Sequence, residues 1–192
     1  MALQYFTLIH IVISIAGIGS GFGLLAGLVA GRLFPRWAVV FLATTIATSV
    51  TGFFFPFHGV TPGIAVGVVS LLALAVACYA LYVRRLSGVW RGAFVITAVL
   101  SLYLNVFVLV VQTFQKNPAL VEIAPEQTGP PFAITQATVL VVFVWLGLIA
   151  FRRFRADPPC RVADQIVVRQ LSVGPGVQFR PEDPRGLQRG GI

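Results

Sequence analysis

LLALAVACYALYVRRLSGVWRGAFVITAVL, Leu71 to Leu100, decides the fold. Two uncharged apolar runs meet at a short turn that carries Arg84, Arg85 and Arg91. Followed outward to about Thr61 on one side and Phe114 on the other, each run reaches about 20 residues, the length of helix that crosses a hydrocarbon layer. An arginine turn between two such runs is the pattern of a helical hairpin whose turn faces water and basic-side head groups.

The rest of the chain repeats this unit. One apolar run extends from about Tyr5 to Gly31 and stops at Arg32; a second runs from about Trp37 to Phe55 and stops at Pro56. Thr61 and Pro62 read as an N-cap followed by a first-turn proline, opening the third run, which ends near Val83. The fourth run covers about Gly92 to Phe114, and the fifth Phe132 to Phe151 before Arg152, Arg153 and Arg155. The expected fold is therefore all-α: about five transmembrane helices in residues 1–155, followed by a basic Pro/Gly/Arg-rich tail over 156–192. That tail lacks apolar periodicity apart from Ile166 to Val168 and reads as disordered.

Composition agrees with that class. The chain of 192 residues is 57% hydrophobic and 10% charged, with mean hydropathy +0.90. Soluble domains carry about 25% charged residues, so a bilayer has to serve as the solvent. A net charge of +8 raises the question of nucleic acid. The placement of the basic residues argues against it. Arg32 and Arg36 lie in the first connection, Arg84, Arg85 and Arg91 in the third, and Arg152, Arg153, Arg155, Arg161, Arg169, Arg180, Arg185 and Arg189 in the C-terminal segment. With five spans these segments fall on one side, and of the 14 basic residues only Lys116 falls on the other. The positive-inside bias then puts the N-terminus outside and the C-terminus in the cytoplasm. Trp37, Tyr82 and Trp90 fall at the same interface. The expected location is the inner membrane of a bacterium, the near-exclusive use of arginine over lysine suggesting a GC-rich gene. The N-terminus has no basic segment ahead of its long apolar run and does not read as a cleavable leader.

Several chemistries find no residues to carry them. Cys78 and Cys160 form no metal-binding or disulfide spacing. The run GIGSGFG, Gly17 to Gly23, sits inside a span with no preceding strand, so it is not a phosphate loop. No acidic or basic side chain lies within a span, which disfavours proton-coupled pumping, although carbonyls and hydroxyls can hold sodium. Glu122 and Glu126, four apart in a proline-flanked connection, make a poor case for paired-carboxylate catalysis.

Three patterns remain. Gly19, Gly23, Gly27 and Gly31 recur every fourth residue, and Thr44, Thr48 and Gly52 form a small-polar stripe on the next span. Together they predict a closely packed antiparallel pair of helices, or a surface for self-association. Ser101, Asn105, Gln112 and Gln115 share roughly one face of the fourth span and are expected to point into the bundle, as interhelical links or as the lining of a ligand cavity. His10 and His58 fall at the outer ends of the first two spans. They read either as interfacial polar residues or as a shared site for one metal or b-type haem, or for a quinone.

TSVTGFFFPF (Thr48 to Phe57), SLYLNVFVLVVQTFQKNPAL (Ser101 to Leu120) and PPF (Pro130 to Phe132) resemble a group of small bacterial inner-membrane proteins described mainly as uncharacterised. The likeness spans roughly residues 8 to 150. It implies the same topology and carries no activity, cofactor or catalytic residue with it.

The sequence thus leads to an integral membrane protein, more in keeping with a non-enzyme, with an outer-side cavity for a small ligand or a partner formed by His10, His58, Asn105, Gln112 and the Gln115–Pro131 connection. A homodimer or a place beside another membrane protein suits the glycine stripe. A haem or quinone redox module and a passive or sodium-coupled transporter stand as alternatives.

Overall fold

The computed structural model describes residues 2–54, 62–123 and 129–155. His58, Thr61, Glu126, Cys160 and the tail lie outside the described residues. Among the described residues every regular element is helical: α1 (Ala2–Val29), α2 (Pro35–Gly52), α3 (Pro62–Cys78), α4 (Val89–Lys116), α5 (Pro118–Ile123) and α6 (Pro130–Arg153). A π-helical turn, Tyr79–Val83, continues α3.

Four segments are long and apolar enough to cross a membrane: Gln4–Val29, Gly63–Val83, Val89–Lys116 and Pro130–Arg153. This is the pattern of a multi-pass membrane protein. α2 is not among the four. It has 18 residues, about 27 Å of helix at 1.5 Å per residue, but it opens on Pro35 and Arg36 and carries Thr44, Thr45, Thr48, Ser49 and Thr51.

The helices end where local chemistry makes them end. α1 closes on Gly31, whose φ of +76° is a left-handed conformation that suits glycine. The Arg32 amide donates to the Gly27 carbonyl at 2.8 Å and the Gly31 amide to Leu28 at 3.1 Å, the paired bonds of a Schellman cap. Pro35 then starts α2 in its first turn. After the π turn, Arg85 and Leu86 adopt φ of +47° and +57°. The Leu86 amide returns to the Ala80 carbonyl at 2.9 Å, and this reversal buries the Leu86 side chain.

α1 and α2 pack antiparallel along the whole of α2. The contacts step in opposite directions along the two helices: His10 with Thr51, Ser14 with Thr48, Gly17 with Thr44, Gly21 with Phe41, Gly23 with Trp37, Gly27 with Phe34. α1 also packs on α4 and α6, α2 on α3, and α4 on α3 and α6. The five long helices therefore close into a ring in which α1 and α4 also meet.

The main core cluster lies toward one end, with Phe114 buried separately at the other. Leu24, Leu28, Phe41, Leu42, Leu74, Ala77, Phe94, Val95, Ala98, Ala150 and Phe154 pack in the main cluster. Its end is the arginine end, where α1, α3 and α6 finish and α2 and α4 begin. The Arg91 guanidinium donates to the Phe154 carbonyl. Trp90 stacks edge-on against Tyr79 at 4.9 Å, with the Arg84 guanidinium 5.5 Å from its ring centre. Gly92 lets the Phe151 ring lie against α4; a Cβ there would sit 2.6 Å from it.

The far end is different. No described side chain of α1 before Gly17 is buried. Along α4, every residue from Tyr103 to Val108 is only half-buried. None of these six successive residues is fully buried, although they face different directions around the helix.

Candidate functional site: a polar crevice at the open end

The polar residues of α1, α2 and α4 gather where the packing loosens. Gly17 forms the floor. A Cβ at Gly17 would lie 3.3 Å from Thr44 Oγ1, 3.4 Å from Thr45 Oγ1 and 3.7 Å from Asn105 Nδ2. Three polar atoms on two other helices thus converge on one bare backbone position. Asn105 donates to Thr45 at 3.2 Å, linking α4 to α2. One turn higher, Ser14 lies 3.4 Å from Thr48, a long contact for two hydroxyls. Higher again, His10 Nδ1 lies 2.8 Å from Thr51 Oγ1. His10, Ser14, Thr44, Thr48, Thr51 and Asn105 are all half-buried.

The histidine tautomer follows from proton counting. Thr51 has one hydroxyl hydrogen, and its oxygen is 2.7 Å from the Ala47 carbonyl of its own helix. Giving that hydrogen to Ala47 leaves the oxygen to accept from His10 Nδ1–H, so both bonds form. The opposite tautomer would satisfy only one. The Nδ1–H tautomer is thus the one that lets both Thr51 contacts form.

The expected site residues are brought together only in part. Asn105 lies in the crevice, and Gly52 is beside His10, whose Cε1 would be 4.0 Å from a Cβ at that position. Gln112 and Gln115 do not point into the bundle. Both are exposed. They share the face of Ser101, which is fully buried, but lie about 16 Å and 21 Å further along α4 at 1.5 Å per residue. At that height no neighbouring helix covers the face. The pairing of His10 with His58 lies outside the described residues, as do residues 124–128 of the Gln115–Pro131 connection. Within that connection α5 is helical and packs on α4.

The glycine stripe also needs correction. Gly19 faces open space, and Gly31 serves as the cap of α1. Gly23 and Gly27 lie under the rings of Trp37 and Phe34 at the edge of the hairpin. The closest approach belongs to Gly21, where a Cβ would meet Leu102 Cδ1 at 2.4 Å and the Phe41 ring at 2.9 Å.

Two polar links are not legible in the sequence patterns. Ser49 donates to Ser70 at 3.2 Å, joining α2 to α3 deep in the bundle. Ser70 is the single hydroxyl of α3, and that isolation is the one signal pointing to it. Gln136, the single amide of α6, donates to the Phe107 carbonyl at 3.3 Å, while its buried Oε1 meets no donor. It lies across α4 from Asn105 and is separate from the crevice.

What the crevice can do is limited by what lines it. Among the described residues it offers hydroxyls, one carboxamide and one imidazole, and the imidazole lies against the Thr51 hydroxyl. Among the described residues no three His, Cys, Asp or Glu side chains group as a metal site would require. Comparison of the chain with protein-family models, curated proteins and solved structures finds no match.

Proposed function

We propose that the protein is a five-span inner-membrane protein, N-terminus outside, whose outer half holds a small ligand in the crevice between α1, α2 and α4. The observation that carries the reading is the contrast between a sealed arginine end and an uncharged, half-accessible polar crevice at the other. A fold needing only internal glue has no reason to leave its polar residues accessible. α2 counts as the fifth span because it runs level with α1 from His10 to Gly27 and turns its hydroxyls toward α1, α3 and α4. Hydroxyls satisfied in this way cost little in lipid. The arginine bias sets the orientation.

Native mass spectrometry of the full chain released from its membrane tests the ligand. The wild type should carry a bound mass that Asn105→Leu loses; an identical spectrum for both would refute the crevice. Reporter fusions after Arg32 and after Arg85 test the topology and should report the same compartment, because α2 and α3 both cross between them. Signals from opposite sides would end the five-span arrangement.

A second reading is a redox module with His10 as an axial haem ligand. The observation favouring it is the 2.8 Å contact of His10 Nδ1 with the Thr51 hydroxyl, the kind of outer contact that fixes metal-bound imidazoles. A purified, folded protein without a Soret band would dismiss it.

A further inference from the structure

The arginine end carries more charge than its seal uses. Folding brings three chain segments together there. A Cβ at Gly31 would lie 3.1 Å from the Arg153 carbonyl oxygen, and the Arg91 guanidinium donates to the Phe154 carbonyl. Residues 32–36, 84–91 and 152–155 thereby bring eight arginines to one end, and all but the half-buried Arg91 are exposed. Little balances them. Among the described residues the one carboxylate side chain is Glu122, on α5 beyond the opposite end of α4. Three helix C-termini and two N-termini also meet at the arginine end, and at about half a charge each they nearly cancel. The four carboxylate side chains of the tail are outnumbered by its own five arginines. Drawing so many like charges together is unfavourable unless anions join them.

We propose that this end binds the head groups of anionic phospholipids in the leaflet that it faces. A planar guanidinium matches a phosphodiester through paired hydrogen bonds. The surface beside the arginines selects a lipid over a dissolved anion. In each segment an exposed apolar residue adjoins them: Phe34 between Arg32 and Arg36, Val83 before Arg84, and Phe151 before Arg152. Exposed Trp37 and Tyr82 add rings suited to the head-group level. The surface is charged at its rim and hydrocarbon-like just inside it, as a phospholipid is. Nothing here depends on the crevice, or on which leaflet the arginine end faces.

Trp37 and Trp90 serve as built-in reporters of this end. The full chain with Trp145→Phe, which removes the third tryptophan, is reconstituted in phosphatidylcholine bilayers. Quenching by brominated phosphatidylglycerol is then compared with quenching by brominated phosphatidylcholine. Phosphatidylglycerol should be preferred at least about fivefold, the contribution of one arginine near an anionic surface. Added salt should reduce the preference. Arg84→Gln combined with Arg85→Gln should lower it at least about twofold. Arg152→Gln combined with Arg153→Gln should do the same and covers the case in which the first pair fails to fold. Both pairs leave Arg91 on the Phe154 carbonyl. Equal quenching by the two lipids, or a preference undiminished in both paired variants, would overturn the proposal. So would loss of the preference on adding inorganic phosphate at constant ionic strength, which would mark a site for a free anion.

Discussion

The two ends of this bundle are built from similar residues and packed in opposite ways. At the arginine end, Gly21, Gly92 and Gly27 remove side chains so that Leu102, Phe41, Phe151 and Phe34 can close onto helix backbones. At the far end, Gly17 removes a side chain and three polar atoms close around the bare position instead. A missing Cβ filled by hydrocarbon makes a seal. One ringed by hydroxyl and amide groups makes a place where something polar can be held. The same small residue therefore admits hydrocarbon packing in one half and polar contacts in the other.

The sharpest way to break this contrast is to fill the floor of the sealed half. Gly21→Leu forces a large side chain against Leu102 and Phe41 and should cost more than about 3 kcal/mol, seen as loss of the folded bundle or a large fall in detergent melting temperature. Gly23→Leu should cost less, because Trp37 is 48% exposed and its indole can swing outward. Equal losses at the two positions would mean that the seal is not centred on Gly21. Next in size, Arg91→Leu removes a charged donor from the Phe154 carbonyl and should cost about 1.5–3 kcal/mol. Faster hydrogen exchange should then appear at the end of α6, and an unchanged exchange rate there would contradict the link.

Smaller effects probe the open half. Thr45→Val and Asn105→Leu should each cost about 1 kcal/mol, and the double variant should cost little more than either alone, since the two share one bond. Additive losses would show that they act separately. Smallest of all, Gly19→Leu meets nothing and should change stability by less than about 0.5 kcal/mol. A large effect there would point to a surface used between molecules.

Hydropathy and arginine placement make the helices legible, because burial in lipid acts on whole segments. The ends of α3 and α6 fall within a few residues of where the arginines and prolines place them. Side-chain direction is harder to read. A four-residue repeat drifts by about 40° per step around a helix of 3.6 residues per turn. Gly19 to Gly31 therefore winds away from any one neighbour, while Gly17, Gly21, Leu24 and Leu28 stay on the buried face. For Gln112 and Gln115 the expected face is right and the height wrong, since nothing in a single helix tells where its neighbours stop. The convergence on Gly17 joins residues 17, 44, 45 and 105, and only the packing of three helices brings them together.

The tight reversal at Gly31 bears on how the chain reaches its membrane. Only Ala30 to Phe34 separate α1 from α2. In the proposed five-span arrangement, α2 is the segment least able to enter oil alone, with five hydroxyls and an arginine near its start. So short a link leaves it no time or distance to try. It would leave the translocation channel already folded against α1, its oxygens shielded before they meet lipid, and the first two spans would be inserted as one object rather than two.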